Sequence, residues 1–291
     1  MSAPALPRMV AALRSRRPGA KPTTPKLDLF AYGMVVVLVT LALIGPWLTP
    51  YDPYRVDLDQ ALRAPEGAHW LGTDASGRDV ASRLLAGARE TVLSGIAVVV
   101  GAALLGTLVA VAAVLGGRWA DEVLMRVCDI FLSVPGMVLA LGLAASLGTG
   151  RGATVIAMVA ATWPAFARLV RSSLHETMRT AYVESARVLG VSRTRLMLRH
   201  VLPNSLDTLL VQAAMEVSGV VVIMSGLAFL GVGAQPPSPD WGAMVSDGRE
   251  YATTQWWIAA SPGAAITVTA IAFGLAGDAL RVRLDPTVRG S

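Results

Sequence analysis

Apolar residues in this chain run in long unbroken blocks separated by short polar stretches, and they do not alternate with polar ones. A helix needs ~20 mostly apolar residues to cross ~30 Å of hydrocarbon. Six blocks qualify, at 28–49, 91–116, 127–148, 152–171, 206–231 and 257–279. Continuous runs argue against a β-barrel, whose strands alternate. The pattern therefore predicts an all-α membrane protein with six transmembrane helices. Glycines and prolines inside the blocks do not oppose this, because membrane helices tolerate both. The third block is the least uniform, with Asp129 and Pro135 in its first half. The second and fifth exceed a minimal span and are expected to tilt. The first, around Tyr32–Val39, is too long for the apolar core of a signal peptide, and no small-residue cleavage site follows it. It is read as an uncleaved span.

Composition supports the same class. Of 291 residues, 54% are hydrophobic and 15% charged, against the ~25% charged of soluble domains. That excludes a disordered, collagen-like or coiled-coil chain and disfavours a soluble enzyme. The single Cys128 excludes a disulfide framework, and His69, His175 and His200 are too scattered for a local metal motif. The net charge is +5, and all cations but Lys21 and Lys26 are arginine. Eighteen of the 25 cations fall in 1–27, 117–126, 168–205 and 280–291, and seven in 50–90, 149–151 and 232–256. The positive-inside rule then places both termini in the cytoplasm. The cations mark cytoplasmic loops and imply no nucleic-acid partner.

The chain divides accordingly. Residues 1–27 form a cytoplasmic tail, expected to be disordered and to touch anionic lipid. Residues 28–90 hold the first span and an outer loop of about 40 residues. Residues 91–280 form the core of the protein, with an inner loop at 171–205, and 281–291 form a second cytoplasmic tail. Loops this long usually carry function.

In the inner loop, residues 180–189 are good helix formers. Gly190 suits a helix C′ position. Ser192 can cap a second short helix at 193–201, which Pro203 should stop. Apolar Val183, Ala186, Val188 and Leu189 stand among basic residues. Such a helix can dock in a groove on a partner or lie on lipid, and the residues alone leave both open. Glu184-Ser185-Ala186, then Gly190 after three residues, then Leu202-Pro203 after eleven, resembles the EAA motif. That motif marks permease subunits of binding-protein-dependent ABC importers. Ser185 replaces the usual first Ala. His200 stands where the general pattern has Ile, and the run Arg199–Asn204 is similar to the peptide-importer branch.

The outer loop contains Gly72, Thr73, Asp74, Gly77, Arg78, Asp79 and Arg83. The glycines allow tight turns, and Asp79 and Arg83 are i,i+4 partners on a helix. This is either a salt-bridged cap on the second span or a contact for a docking protein or substrate. The stretch is similar to the LGTDxxGRDxxSRLxxGAR signature of one permease subunit in dipeptide, oligopeptide and nickel importers. Phe229–Met244 resembles the FLGLGxQPPxPxWGxM segment of the same branch. Gly231 and Gly233 should end the fifth helix there, and Trp241, Trp256 and Trp257 suit an outer interface belt.

The resemblance covers roughly residues 28–285. It implies a type I ABC importer permease fold in the cytoplasmic membrane. It implies that Tyr182, Glu184, Ser185, Ala186, Gly190, His200, Leu202 and Pro203 couple to an ATPase. The implied partners are a second, homologous permease in a heterodimer, one or two ABC ATPase subunits that bind ATP and Mg, and an extracytoplasmic solute-binding protein. The implied substrate is a di- or oligopeptide, with nickel as the alternative.

Three acids lie in or near the spans. Glu216 falls near mid-membrane, ~15 Å along its helix from residue 206. An acid at that depth is a functional candidate by default. It could line the translocation path and meet a peptide's ammonium, or form a structural hydrogen bond to Ser, Thr or the partner subunit. Asp129 and Asp278 are expected to pair with Arg126 and Arg281. Cys128 reads as an inert buried residue. The chain has no G-x-x-x-x-G-K-[ST] run, so it cannot hold ATP in a P-loop. H-E-x-x-H and G-x-S-x-G are also missing, which argues against a metalloprotease or serine hydrolase. An ion-coupled secondary carrier is the alternative of another class. It would use Glu216 and leave the inner elbow unexplained.

Overall fold

A computed structural model describes residues 25–284. The expected tails therefore lie almost wholly outside the described residues. The order is α1 (Pro25–Ile44), α2 (Val80–Leu132), α3 (Gly136–Leu147), α4 (Arg151–Met178), α5 (Ala181–Val188), α6 (Arg193–Leu196), a π turn (Met197–Val201), α7 (Leu202–Phe229), α8 (Trp241–Gly248) and α9 (Trp257–Leu284). Among the described residues the only β pairing is one isolated bridge, Thr73 to Asp79. Five helical segments are long and apolar enough to cross a membrane.

The third expected span is divided. Its first part is the helix that follows the kink at Gly117, and its second part is α3, with Ser133–Pro135 between them. Pro135 lacks an N–H and disfavours helical geometry in the residue before it. The 12 residues of α3 rise only ~18 Å, short of the hydrocarbon thickness. The second span starts earlier than expected, at Val80, and ends at the kink at Gly117. Residues 118–132 then run back along α4, since Gly106 abuts Phe166 and Phe131 meets Trp163 of the same helix.

The helices pack as two pairs, α2 along α4 and α7 along α9. A close approach makes the first pair: a Cβ on Gly106 would lie 2.6 Å from the Phe166 Cβ and 2.8 Å from the Ala167 nitrogen. Small residues that let backbones meet substitute for a hydrophobic driving force inside lipid. Val92, Val98, Ala102, Phe166, Val221 and Leu227 are buried at the common core. Helix α1 lies outside, on α2 and α9. It turns Phe30, Val36, Val37 and Leu43 outward, as a lipid-facing helix should. Residues 232–256, with α8, fold back over the end of the bundle that holds the start of α2, against α7 and α9.

Candidate functional site

Two regions hold the residues singled out by the sequence: the elbow at 180–203 and the cap at the other end of α2.

The elbow forms largely as its residues demand. Gly190 adopts φ +82, a conformation cheap for glycine. The Gly190 N–H donates to the Arg187 carbonyl and the Val191 N–H to the Ala186 carbonyl, which is the Schellman arrangement. Ser192 stands at the start of α6, but its side chain makes no capping bond there. Pro203 does not stop the second helix. It enters the first turn of α7, and the π turn ahead of it carries the chain onward, with the Leu202 N–H reaching the Met197 carbonyl. The wider turn removes the clash a proline would make with an ordinary α-helical carbonyl.

One face of α5 is anchored. Val183 is fully buried against Val170, Leu174, Leu196, Met197 and Val201. The opposite face is open: Val188 and Leu189 are each 83% exposed, and Tyr182 is 46% exposed. Glu184 and Ser185 are exposed beside them, and Ala186 is half-buried. Ser185 Oγ donates to the Ala181 carbonyl. Further along, His200 and Leu202 are half-buried and Pro203 is exposed. Beneath the elbow lies a cavity of about 370 Å³ lined by Met178, Arg187, Val191, Arg193, Leu196 and Met197.

The cap forms as a buried ionic knot. Asp74 is central. Its Oδ1 accepts from the Ser76 and Arg78 N–H groups at 2.8 and 3.0 Å, and its Oδ2 accepts from Arg78 Nε at 2.7 Å. Arg83 Nε lies 3.5 Å from the same oxygen. Arg83 also donates to the carbonyls of Pro53 and Pro237, at 3.3 Å each. It is only 2% exposed, so these partners replace its water. The expected Asp79–Arg83 pair does not form. Asp79 caps α2, accepting from the Ser82 N–H and Oγ at 2.7 Å, and its other oxygen lies 2.9 Å from His69 Nδ1. A cap side chain is pulled to the free N–H groups of the first turn, so it is not available one turn on. Thr73 Oγ1 accepts from the Arg63 N–H. Gly72 and Gly77 hold φ +71 and +74, and a Cβ on Gly77 would lie 1.6 Å from the Asp57 carbonyl oxygen. The signature residues thus face inward, as a salt-bridged cap.

The 232–256 segment completes the knot. Trp241 and Trp257 do not form an interface belt: both are buried, and Trp256 alone of the three is exposed. Trp241 Nε1 donates to the Leu84 carbonyl at 2.9 Å, and Trp257 Nε1 to the Thr73 carbonyl at 3.4 Å. Asp240 caps α8 through the Gly242 and Ala243 N–H groups. Burial pushes its carboxyl upward, against those two bonds. Asp247 lies 3.8 Å from Arg78. Burial raises it as well, partly offset by Arg83 and Arg78. Sequence reasoning missed Asp247 because no local spacing links it to Arg78.

The intramembrane acids divide. Glu216 is half-buried on α7 and accepts from Gln212 Nε2, one turn away, at 3.1 Å. Asp129 pairs with Arg168 of α4 at 3.4 Å, and not with Arg126, because the α2–α4 contact offers a cation from a second helix. Asp121, unassigned by the sequence, makes a bidentate pair with Arg171 of α4. Cys128 is buried.

Comparisons with known proteins agree on the class. Residues 89–290 match the family described as binding-protein-dependent transport system inner membrane component. Residues 26–65 match the N-terminal TM domain of oligopeptide transport permease C. The chain is 42% identical over 258 residues to the probable D,D-dipeptide transport system permease protein DdpC of Escherichia coli (strain K12), covering 88% of this chain and 86% of that one. It is 38% identical over 256 residues to the glutathione transport system permease protein GsiD of Pectobacterium atrosepticum, covering 88% and 85%. Among solved structures, the inward-facing MetNI methionine ABC transporter matches with TM-score 0.56 at 18% identity, over 69% of this chain and 96% of that one. An amino acid ABC transporter crystallised with histidines matches with TM-score 0.55 at 15% identity, over 69% and 92%. These two fix the fold as that of a type I ABC importer permease. The chain belongs to the binding-protein-dependent transport system inner membrane component family and is a multi-pass permease subunit of an ABC importer, working with ATPase and binding-protein partners and having no ATPase site of its own.

Proposed function

We propose that this permease carries di- or oligopeptides inward across the cytoplasmic membrane, with the elbow at 180–203 as the seat of an ATPase subunit. One observation carries the assignment of the elbow. Helix α5 buries Val183 and leaves Val188 and Leu189 bare at the tip. Large exposed apolar side chains on an otherwise polar turn mark a partner surface. Tyr182, Glu184, Ser185, Ala186 and Gly190 share that turn, and His200, Leu202 and Pro203 hold its return limb. Two ATPase subunits would bind ATP and Mg, one on this elbow and one on that of a distinct homologous permease. A solute-binding protein would deliver peptide at the opposite face. Both termini lie in the cytoplasm in this arrangement, which the arginine distribution supports. The peptide class rests on the dipeptide and glutathione permeases it is similar to. Transport is alternating access, with nucleotide and docked binding protein each shifting the population of two states.

Glu216 is the proposed anionic contact for the peptide ammonium. Among the described residues it makes no ion pair, and its hydrogen-bond partner is a neutral amide. An unneutralised carboxylate in an apolar helix is costly and implies a use. In the co-expressed complex in lipid, peptide should stimulate ATP hydrolysis. Gly190→Pro, which cannot hold φ +82, should keep bound ATPase subunits and lose stimulation. Glu216→Gln should lower peptide transport and leave ATPase binding unchanged. Transport that follows a proton gradient with no ATPase subunit co-purifying sinks the proposal.

A further inference from the structure

We propose that the cavity between α7 and α9 binds an extended dipeptide, with Arg281 as the contact for its carboxylate while Glu216 meets its ammonium. The proposal rests on the peptide reading above and assigns the other terminus of that substrate.

The cavity measures about 410 Å³, within the range of small-molecule sites. Helix α7 lines it with Asp207, Val211, Gln212 and Met215, and α9 with Arg281 and Leu284. Gln212 also donates to Glu216 at 3.1 Å, so that carboxylate is one hydrogen bond from the cavity wall. Arg281 is exposed. The expected Asp278–Arg281 pair does not form, and among the described residues Arg281 makes no ion pair. Arg283 behaves differently. It lies 4.0 Å from Asp28 of α1, and its guanidinium stands 4.9 Å from the centroid of the Tyr32 ring. Of the two arginines that end α9, one is committed to the fold and the other is left on the cavity. A guanidinium grips a carboxylate through two parallel N–H bonds, which an amide in the same place cannot accept.

Helix register sets the distance between the two charges. A Cβ on Gly277 would lie 2.7 Å from Met215 Cγ and 2.9 Å from the Met215 nitrogen, so these two residues stand at one level. Ser218, farther along α7, donates its Oγ to the carbonyl of Ala270, farther back on α9, at 2.8 Å, so the helices run antiparallel. Arg281 lies four residues from Gly277 toward the elbow end, ~6 Å along the axis. Glu216 lies one residue from Met215 the other way, ~1.5 Å. The two backbones are thus separated by ~7.5 Å along the bundle. An extended dipeptide spans ~7 Å and a tetrapeptide ~14 Å, so the register suits the shorter one. Asp207 lies on the elbow side of Arg281. It is exposed, whereas Glu216 is half-buried, and an exposed charge is the weaker partner because water screens it.

The experiment uses the assembled complex of both permeases and the ATPase subunits in lipid nanodiscs, without the solute-binding protein, so that only the permeases select. Binding of radiolabelled dialanine is measured by equilibrium dialysis. Wild type should bind dialanine, and should bind its C-terminal amide and its N-acetyl derivative each roughly ten-fold more weakly or worse, the scale of one hydrogen bond to a charged group. Tetraalanine should also bind more weakly. Arg281→Gln should bind dialanine and the amide equally and still reject the N-acetyl form. Glu216→Gln should show the reverse. Arg281→Lys keeps the charge without the paired donors and should prefer dialanine over the amide by less than wild type does. It carries the test where Arg281→Gln does not assemble.

Wild-type discrimination against the amide in Arg281→Gln, or in Arg281→Lys, overturns the carboxylate contact. Loss of discrimination against the N-acetyl form in Asp207→Asn, and not in Glu216→Gln, overturns the orientation. Tighter binding of tetraalanine than of dialanine overturns the assigned length. A complex that transports dialanine with its binding protein and binds none without it overturns the site and leaves the peptide reading standing. A complex that transports no peptide overturns the peptide reading, and this proposal with it.

Discussion

The cap around Asp74 and the elbow at 180–203 invert the usual relation between residue type and location. The cap is rich in charge, yet Asp74, Arg78, Asp79 and Arg83 are all buried. The elbow carries apolar Val188 and Leu189, and both stand in the open. In the cap, Asp74 and Asp79 find partners within residues 69–83, and Arg78 and Arg83 also reach Asp247, Pro53 and Pro237, so the charges serve the fold. At the elbow, the apolar tip stands exposed among the described residues, and the ATPase subunit proposed to seat there would cover it. The charged signature, which looks like a contact surface, is architecture, and the bland apolar pair is the surface proposed for contact.

The largest effect expected from breaking this contrast is at Asp74. Asp74→Ala leaves Arg78 and Arg83 buried without their shared anion. Removing one member of a buried ionic group costs about 3–5 kcal/mol. The complex should lose thermal stability or fail to assemble, as detected by size-exclusion chromatography with heating. A variant that is as stable as wild type would show that the cap is not a structural knot.

An intermediate effect is expected at the elbow, in a different quantity. Leu189→Asp removes no internal contact, so the permease itself should keep its stability. ATPase binding should weaken by about 2 kcal/mol, the scale of an interface hot spot, or roughly 30-fold in affinity. Co-purification and titration with the ATPase subunit measure it. Equal affinity in the variant would remove the contrast between the two regions.

The smallest effect concerns the pH response of the cap. Burial raises Asp240 and Asp247 above their unfolded values. A raised carboxylate contributes stability that is present below its unfolded pKa and lost as pH rises through its folded one. The cap should therefore weaken as pH increases across the acid range. Asp240→Asn keeps a helix-capping acceptor and removes that titration. Its melting temperature should depend less steeply on pH than that of wild type, with Asp247 supplying the remaining slope. Parallel slopes would mean that Asp240 titrates as it does in the unfolded chain.

Much of the fold was legible because lipid imposes length. The blocks at 28–49, 152–171, 206–231 and 257–279 each fall on a long helix. The block at 127–148 is helical on both sides of Ser133–Pro135, and its apolar character alone could not reveal that Pro135 divides it. Gly190 was legible because a helix C′ position needs left-handed φ whatever surrounds it. Pro203 was misread because its usual effect was cancelled by a π turn, a response of the backbone that residue types do not announce. The Trp241, Trp257 and Asp129 readings failed for a shared reason. Each side chain had a nearer partner from a remote segment than from its own.

The sequence by itself determined the apolar spans, the glycine turn of the elbow and the family, because these depend on local chemistry and on the thickness of hydrocarbon. Tertiary structure alone decided which charges meet, that Asp79 caps a helix and leaves Arg83 to Asp74, and that Trp241 and Trp257 turn inward. Apart from the Asp79 cap and the Arg83–Asp74 pair, those are contacts between residues far apart in the chain, and in every case only packing determines which of many compatible partners lies within reach.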